Sequence, residues 1–305
     1  MDFQAAIYQS LIQTSLLFTG GIGIVIAYKV FKFGNFAHGD YITVGAYAMA
    51  IPLLKLHWNI YLSSLSSIFF SVLSCLLTYY FAVKPLISRK ASALFIMIAS
   101  LAVGILLRFS VYIVVNVIDP YTLSSVISLI PQIVFNSFIP VTDLLLTSLF
   151  FTLSLFIILL ILLIKTKMGM EIKALADNRE LALISGVRPG IIEPIVWIII
   201  GITTGLEGIL LNYLGISPEV GFTMLISLFS AAILGGVDSI IGILISSILL
   251  GFIDKFTILY LSSTYNVSLN YEPVIPLIAM IIALIFFPRG IANSKVIRKV
   301  MRVGV

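Results

Sequence analysis

The chain has 305 residues, 60% of them hydrophobic and 10% charged, with 18 Lys and Arg against 13 Asp and Glu for a net charge of +5. A soluble domain is roughly 25% charged, so this composition needs a bilayer as its solvent. It excludes a large extramembrane domain, and its long unbroken apolar runs exclude a transmembrane β-barrel, whose strands alternate over about 10 residues.

A spanning helix takes about 20 apolar residues, which leaves room for roughly seven to nine spans. Met1-Asp2-Phe3 carries no basic n-region, so the first apolar run, Phe3 to Tyr28, is expected to be a retained helix and not a cleaved signal. Phe36 to Leu54 opens on Gly34, Asn35, His38, Gly39 and Asp40 and only then turns apolar. Leu56 to Val83 is the next uncharged run, and it holds Cys75, the single cysteine, so no internal disulfide is possible. Ala91 to about Val117 follows, with Arg108 in its second half, then Leu144 to Ile164. Pro194 to Asn212 carries Glu207, and Gly201-x-x-x-Gly205 gives it a small-residue face for close packing; Ser247-x-x-x-Gly251 repeats the pattern. Val220 to Leu250 is apolar but interrupted by Gly235-Gly236-Val237-Asp238-Ser239, so it crosses twice or re-enters. Asp254 with Lys255 reads as a helix end, the stretch Thr257 to Glu272 as a loop, and Val274 to Phe287 as a short last span helped by Tyr271. The expected fold is an all-α polytopic integral membrane bundle, residues 1–305 as one domain, with about eight spans, two of them broken or re-entrant.

Orientation follows the basic connections. Lys29 and Lys32; Lys84, Arg89 and Lys90; Lys165, Lys167, Lys173, Arg179 and Arg188; and Arg289, Lys295, Arg298, Lys299 and Arg302 are 15 of the 18 Lys and Arg, and one side of the membrane can hold them all. That side is expected to be cytoplasmic, with the N-terminus out, the C-terminus in and the Asp119 to Asp143 connection, which has no Lys or Arg, facing out. Charge spread in this way is a topology signal, so no nucleic-acid partner is implied; the partner of the bulk surface is membrane lipid.

No phosphate-binding G-x-x-x-x-G-K-[ST] loop, no metal-spaced His/Cys cluster and no nucleophile motif is present, so no catalytic residue, metal site or cofactor is expected. Chemistry is expected instead at the two breaks. In Gly34-Asn35-Phe36-Ala37-His38-Gly39-Asp40, Asn35 can cap the following helix, Gly39 allows close approach, and a helix start inside the protein offers free N–H groups to a carboxylate. Gly235, Gly236 and Asp238 form the second break. Polar breaks at membrane depth are tolerated where they line a cavity or are buried in protein, so Asn35, Phe36, His38, Gly39, Asp40, Gly235, Gly236 and Asp238 are the candidates for a translocation path; a solvated helix start around His38 and a helix cap at Asp238 are the plain alternatives. Arg108 either anchors at the interface or pairs with Glu207.

Lys165 to Pro189 is the longest charged stretch between spans. Ile172, Leu175, Ala176, Ala182 and Leu183 recur at helical spacing among Glu171, Lys173, Asp177, Arg179 and Glu180, and Gly186 and Pro189 supply a stop, so a short amphipathic helix is expected, lying on the membrane or docked in a partner's groove.

Glu180-Leu181-Ala182-Leu183-Ile184-Ser185-Gly186 resembles the E-A-A-x-x-x-G loop of ABC importer permeases, with Leu181 for the first Ala. Asn35-Phe36-Ala37-His38-Gly39 resembles the N-F-A-H-G signature of the branched-chain amino acid permeases of the LivH type. Met168-Gly169-Met170 with Ala174-Leu175-Ala176-Asp177-Asn178, the run Ala231 to Gly236, and Pro288-Arg289-Gly290 resemble three further motifs of that family, in order. Asp238 stands where the family usually has Gly, Glu207 where a small residue is usual, and Met170 and Lys173 replace an Arg pair. The resemblance implies a pore formed with a second permease subunit, a paralogue or a second copy, two separate ABC ATPase subunits and an extracytoplasmic solute-binding protein, in the cell membrane. Residues 165–190 would be the ATPase-coupling loop, with Ala176, Asp177, Glu180, Ala182 and Gly186 its candidate residues. The implied cargo is a branched-chain amino acid, with urea or short amides as the alternative within the family. From other classes, an ion-coupled carrier using Glu207 and Asp238, a passive channel, or a non-transporting scaffold stay open.

Overall fold

Helices α1 (Phe3–Phe31), α2 (His38–Lys55), α3 (Ile60–Thr78), α4 (Lys84–Ser88), α5 (Ala93–Ile118), α6 (Asp143–Lys165), α7 (Lys167–Asp177), α8 (Arg179–Ile184), α9 (Pro189–Leu214), α10 (Val220–Gly235), α11 (Ile240–Tyr265) and α12 (Val274–Phe286) make up nearly all of the computed structural model, which describes residues 3–120, 123, 134–135, 141–287 and 290–291. Seven of the described helical segments are long and apolar enough to cross a membrane: Phe3–Phe31, Ile60–Ser88, Ala93–Ile118, Asp143–Lys165, Pro189–Leu214, Ile240–Tyr265 and Leu269–Phe286. The two predicted breaks are real interruptions. A non-helical stretch, residues 32–37, separates α1 from α2, and residues 236–239 separate α10 from α11.

The described residues fall into two compact units. One draws on Ile26–Pro131 and Leu153–Phe222. Its centre is α2, which packs on α3, α5 and α9, while α3 also packs on α9. Residues on every side of α2 are buried, from His38 to Ala50, so its short apolar and small side chains meet protein all round and not lipid. The buried positions of α3 are Ser63, Ser67, Ser71, Ser74, Cys75 and Thr78, whereas Leu65, Phe69, Phe70, Leu73 and Leu77 face outward. Small residues inward and large apolar ones outward is how helices associate in lipid, where close packing and interhelical hydrogen bonds replace the hydrophobic drive. Ser67 Oγ donates to the Gly205 carbonyl at 2.9 Å and Ser71 Oγ to that of Tyr41 at 3.1 Å. Gly201 and Gly205 present their bare backbones to Val72 and Ile68, so the predicted small-residue face is the α3–α9 contact.

The other unit draws on Met1–Val25, Gln132–Thr152 and Thr223–Val305. A two-residue antiparallel ladder pairs Val134 with Thr142 and Phe135 with Val141, and α11 packs on α12. Gly251, from the second small-residue face, lies against Thr14. The expectation for Asp254 and Lys255 is corrected: they lie inside α11, which continues to Tyr265, so the predicted loop from Thr257 is helical in its first half. Asp254 is buried and accepts a hydrogen bond from Gln13 Nε2 at 3.2 Å. A partner on α1 makes an acid tolerable where sequence reading demanded a surface. The last span gains a turn from Leu269–Tyr271, as the role assigned to Tyr271 anticipates. Pro288 and Arg289, the basic tail from Lys295 and most of the Asp119 to Asp143 connection lie outside the described residues.

Candidate functional site

Three regions carry the polar chemistry. The first is the amino end of α2. Asn35 is buried, and its Oδ1 accepts the Ala37 N–H at 3.2 Å. It therefore closes the turn before the helix, while the N-cap position belongs to Ala37, which has no side-chain cap. Phe36, half-buried, donates its N–H to Ser100 Oγ of α5 at 3.1 Å. His38 and Asp40 are buried. Gly39 and Gly221 meet backbone to backbone, an approach that any Cβ on either would block, and the Gly221 N–H donates to Thr43 Oγ1 at 3.1 Å.

Asp40 takes two hydrogen bonds from Arg108, Nε to Oδ1 at 2.8 Å and Nη2 to Oδ2 at 3.2 Å. Gly104 leaves room for the carboxylate beside α5, and the Arg108 guanidinium sits 3.9 Å from the centre of the Phe222 ring. Of the two alternatives for Arg108, an interface anchor or a pair with Glu207, the pair with Glu207 is not formed and Asp40 takes its place: a bidentate carboxylate and an aromatic face together satisfy the guanidinium. Glu207 is wholly buried in α9, and neither carboxyl oxygen has a hydrogen-bond partner among the described residues.

The second region is the turn between α10 and α11. Gly235, buried, ends α10 against the Gly242 carbonyl, and Gly236 is buried next to it. Asp238 is exposed. The cap of α11 is Ser239, whose Oγ accepts the Gly242 N–H at 3.0 Å, so the capping alternative for Asp238 is not the one realised. The first region lies in one unit and the second in the other.

The third region is 165–190. In place of one amphipathic helix there are two, because Asn178 interrupts: its Oδ1 accepts the N–H groups of Glu180 and Leu181 at 3.0 and 3.1 Å and starts α8. Thr166 caps α7 in the same manner through Gly169. Ala176 and Ala182 are buried, while Asp177, Glu180 and Gly186 are exposed. The open face of α8 is carried by Leu181, at 61% exposure, Leu183 and Ile184, at 85%. Gly186 follows at φ +85°, with nothing near the position a Cβ would take. Arg179 forms an ion pair with Glu193 of α9, a buried carboxylate that also accepts the Tyr79 hydroxyl at 2.9 Å. Sequence reading passed over Glu193; the signal was an acid standing at the mouth of an apolar run directly after a basic connection.

The family described as "Branched-chain amino acid transport system / permease component" matches residues 6–284. The probable branched-chain amino acid transport permease protein LivH of Methanocaldococcus jannaschii is 34% identical over 293 residues, 93% of this chain and 90% of the relative. The high-affinity branched-chain amino acid transport system permease protein LivH of Escherichia coli (strain K12) is 28% identical over 137 residues, 44% of this chain and 42% of the relative. Among solved structures, a chain of PsaBC from Streptococcus pneumoniae in complex with Fab superposes with a TM-score of 0.50 over 93% of this chain and 92% of that one; at 17% identity it speaks to the fold alone. Together with the seven apolar spans, the match over nearly the whole length makes this chain a multi-pass membrane protein of the LivH type, a member of the family of branched-chain amino acid transport permease components.

Proposed function

We propose that this chain is the membrane-spanning permease subunit of an ATP-driven importer for branched-chain, hydrophobic amino acids. It would form the translocation pathway with a second permease subunit, a copy of itself or a paralogue, and work with two ABC ATPase subunits and an extracytoplasmic solute-binding protein. Hydrolysis would belong to the ATPases, and this chain would be no enzyme. The α7–α8 segment and the C-terminus would lie in the cytoplasm, and residues 165–190 would be the coupling loop of a single transmembrane domain.

The observation that carries the reading is the open face of α8. Leu181, Leu183 and Ile184 stand exposed on a short helix set between spans, where a solvated connection would be polar. An amphipathic helix lying in a partner's groove presents such a face. Motion of the ATPases would shift α8, and the rigid-body rocking common among transporters would expose the path to alternate sides. The polar residues at the amino end of α2 and at the α10–α11 turn are the proposed path elements.

The test is capture of the chain from native membranes in mild detergent, followed by uptake into proteoliposomes. The expected result is co-purification of P-loop ATPases with a permease partner, and ATP-dependent uptake of leucine and valine. Uptake of urea in preference to leucine would move the cargo to the amide branch. Glu207, buried with no hydrogen-bond partner among the described residues, favours one second reading, an ion-coupled carrier; uptake driven by a proton gradient with no ATP, abolished by Glu207→Gln, would establish it in place of the importer.

A further inference from the structure

Between α3 and α4 the helix does not continue regularly: Tyr79–Val83 forms a π-helical turn. Such turns are rare and are frequently found at functional sites. Tyr79 opens this one, and its hydroxyl donates to Glu193 Oε2 of α9 at 2.9 Å. The same carboxylate is paired with Arg179, the first residue of α8. One buried acid is therefore held from two sides, by the π turn and by the segment with the exposed apolar face. Arg179 is itself 43% exposed at its side chain, so a partner that seats on α8 can reach it.

Behind this contact lies an aromatic cluster. The Trp197 ring, four residues after Glu193 and so on the same face of α9, is 6.0 Å from that of Tyr79, 5.7 Å from Phe31 and 6.4 Å, edge-on, from Tyr41. Tyr41 follows Asp40 at the amino end of α2. Rings packed this tightly do not deform continuously; they move together or repack.

We propose that Arg179, Glu193 and Tyr79 are positioning residues that pass the movement of α8 to the π turn of α3 and, through Trp197, to Tyr41 and the amino end of α2. While Arg179 is engaged, the Glu193 charge is compensated and the turn is held. When a partner draws Arg179 away, an uncompensated carboxylate is left buried, an arrangement the protein relieves by moving the π turn that supplies the carboxylate's other hydrogen bond. The inference rests on the coupling role proposed for α8.

Two measurements test it, and the first needs no ATPase. The chain has two tryptophans, Trp58 and Trp197, so the Trp58→Phe chain reports the cluster alone. Arg179→Ala is expected to shift the Trp197 emission maximum, Arg179→Lys to keep it, and Tyr79→Phe to reduce the shift that Arg179→Ala produces. Emission unmoved by Arg179→Ala, or a shift indifferent to Tyr79, would overturn the relay. The second uses the complex reconstituted with its ATPases and solute-binding protein, and reads leucine moved per ATP hydrolysed. Arg179→Ala and Tyr79→Phe are each expected to lower that ratio by about 5-fold or more, and the double variant to fall no further than the worse single one, since both act through Glu193. Loss of complex yield at an unchanged ratio would mark a structural pin and sink the proposal. A wild-type complex without ATP-driven uptake would remove the importer reading, and the emission measurement would then decide the relay by itself.

Discussion

Removing the Arg108 guanidinium leaves the Asp40 carboxylate buried with no cation beside it. Breaking a buried pair from one side costs about 3–5 kcal/mol, whereas replacing both partners by neutral groups often costs little. Arg108→Met is accordingly expected to lower thermal stability in detergent sharply, and Asp40→Asn with Arg108→Met to recover most of the loss; equal losses would show that the pair is not coupled. Gly186 separates backbone from bulk. At φ +85° any L side chain meets a left-handed penalty of about 1–2 kcal/mol, but no atom lies in the way of the side chain itself. Gly186→Ala should then be mildly destabilised and still couple ATP to uptake, while Gly186→Trp should be no less stable and fail to couple. Unchanged ATP-dependent uptake by Gly186→Trp would count against docking at this end of the loop. Single polar residues were legible in the sequence as places, since Asn35, His38, Asp40 and Arg108 all lie buried or paired in one region. Their partners were not legible, because the distance between Asp40 and Arg108 is set by how α2 and α5 pack and not by their separation along the chain.

At the scale of the helix, α3 shows why some of the architecture could not be read in advance. A sum of hydropathy over Leu56 to Val83 announces a span but averages its faces, and the buried face here is the polar one. The Gly201/Gly205 face was legible because glycine spacing alone marks a close approach; its partner, α3, was not. Ser67→Ala should cost about 0.6 kcal/mol, the usual worth of one interhelical hydrogen bond in a membrane protein. Ser67→Leu should cost far more, since α3 touches α9 there; measured by unfolding in the same detergent, similar losses for the two would contradict the tight α3–α9 contact. The split of residues 165–190 into α7 and α8 was in principle visible, Asn being a favoured N-cap. It was missed because the apolar spacing on either side of Asn178 continues in phase.

For the whole molecule, composition sufficed for the class: a chain with so few charges folds as a bundle of apolar helices. The division into two units was not legible, since each gathers segments far apart in sequence, and only tertiary packing brings them together. The basic connections make a topological prediction. In a Cys75→Ala background, which removes the single cysteine, Ile184→Cys should react with a membrane-impermeant maleimide only from the cytoplasmic face. Tyr265→Cys, at the exposed end of α11, should react only from the outside. Labelling of both from one face would reverse the assignment of one of them and with it the orientation drawn from the charges.

The reversed face of α3 also separates what holds this helix in place from what keeps it in a bilayer. Its contacts to α2 and α9 run through serine hydroxyls and bare glycine backbone, none of which depends on the medium outside. The medium is addressed by Tyr61, Leu62, Leu65, Phe69, Phe70, Leu73 and Leu77. Exchanging those seven for Glu, Lys and Gln would recoat the helix for water while leaving its joints untouched, so that residence in the membrane is, for this element, a property of its outer skin.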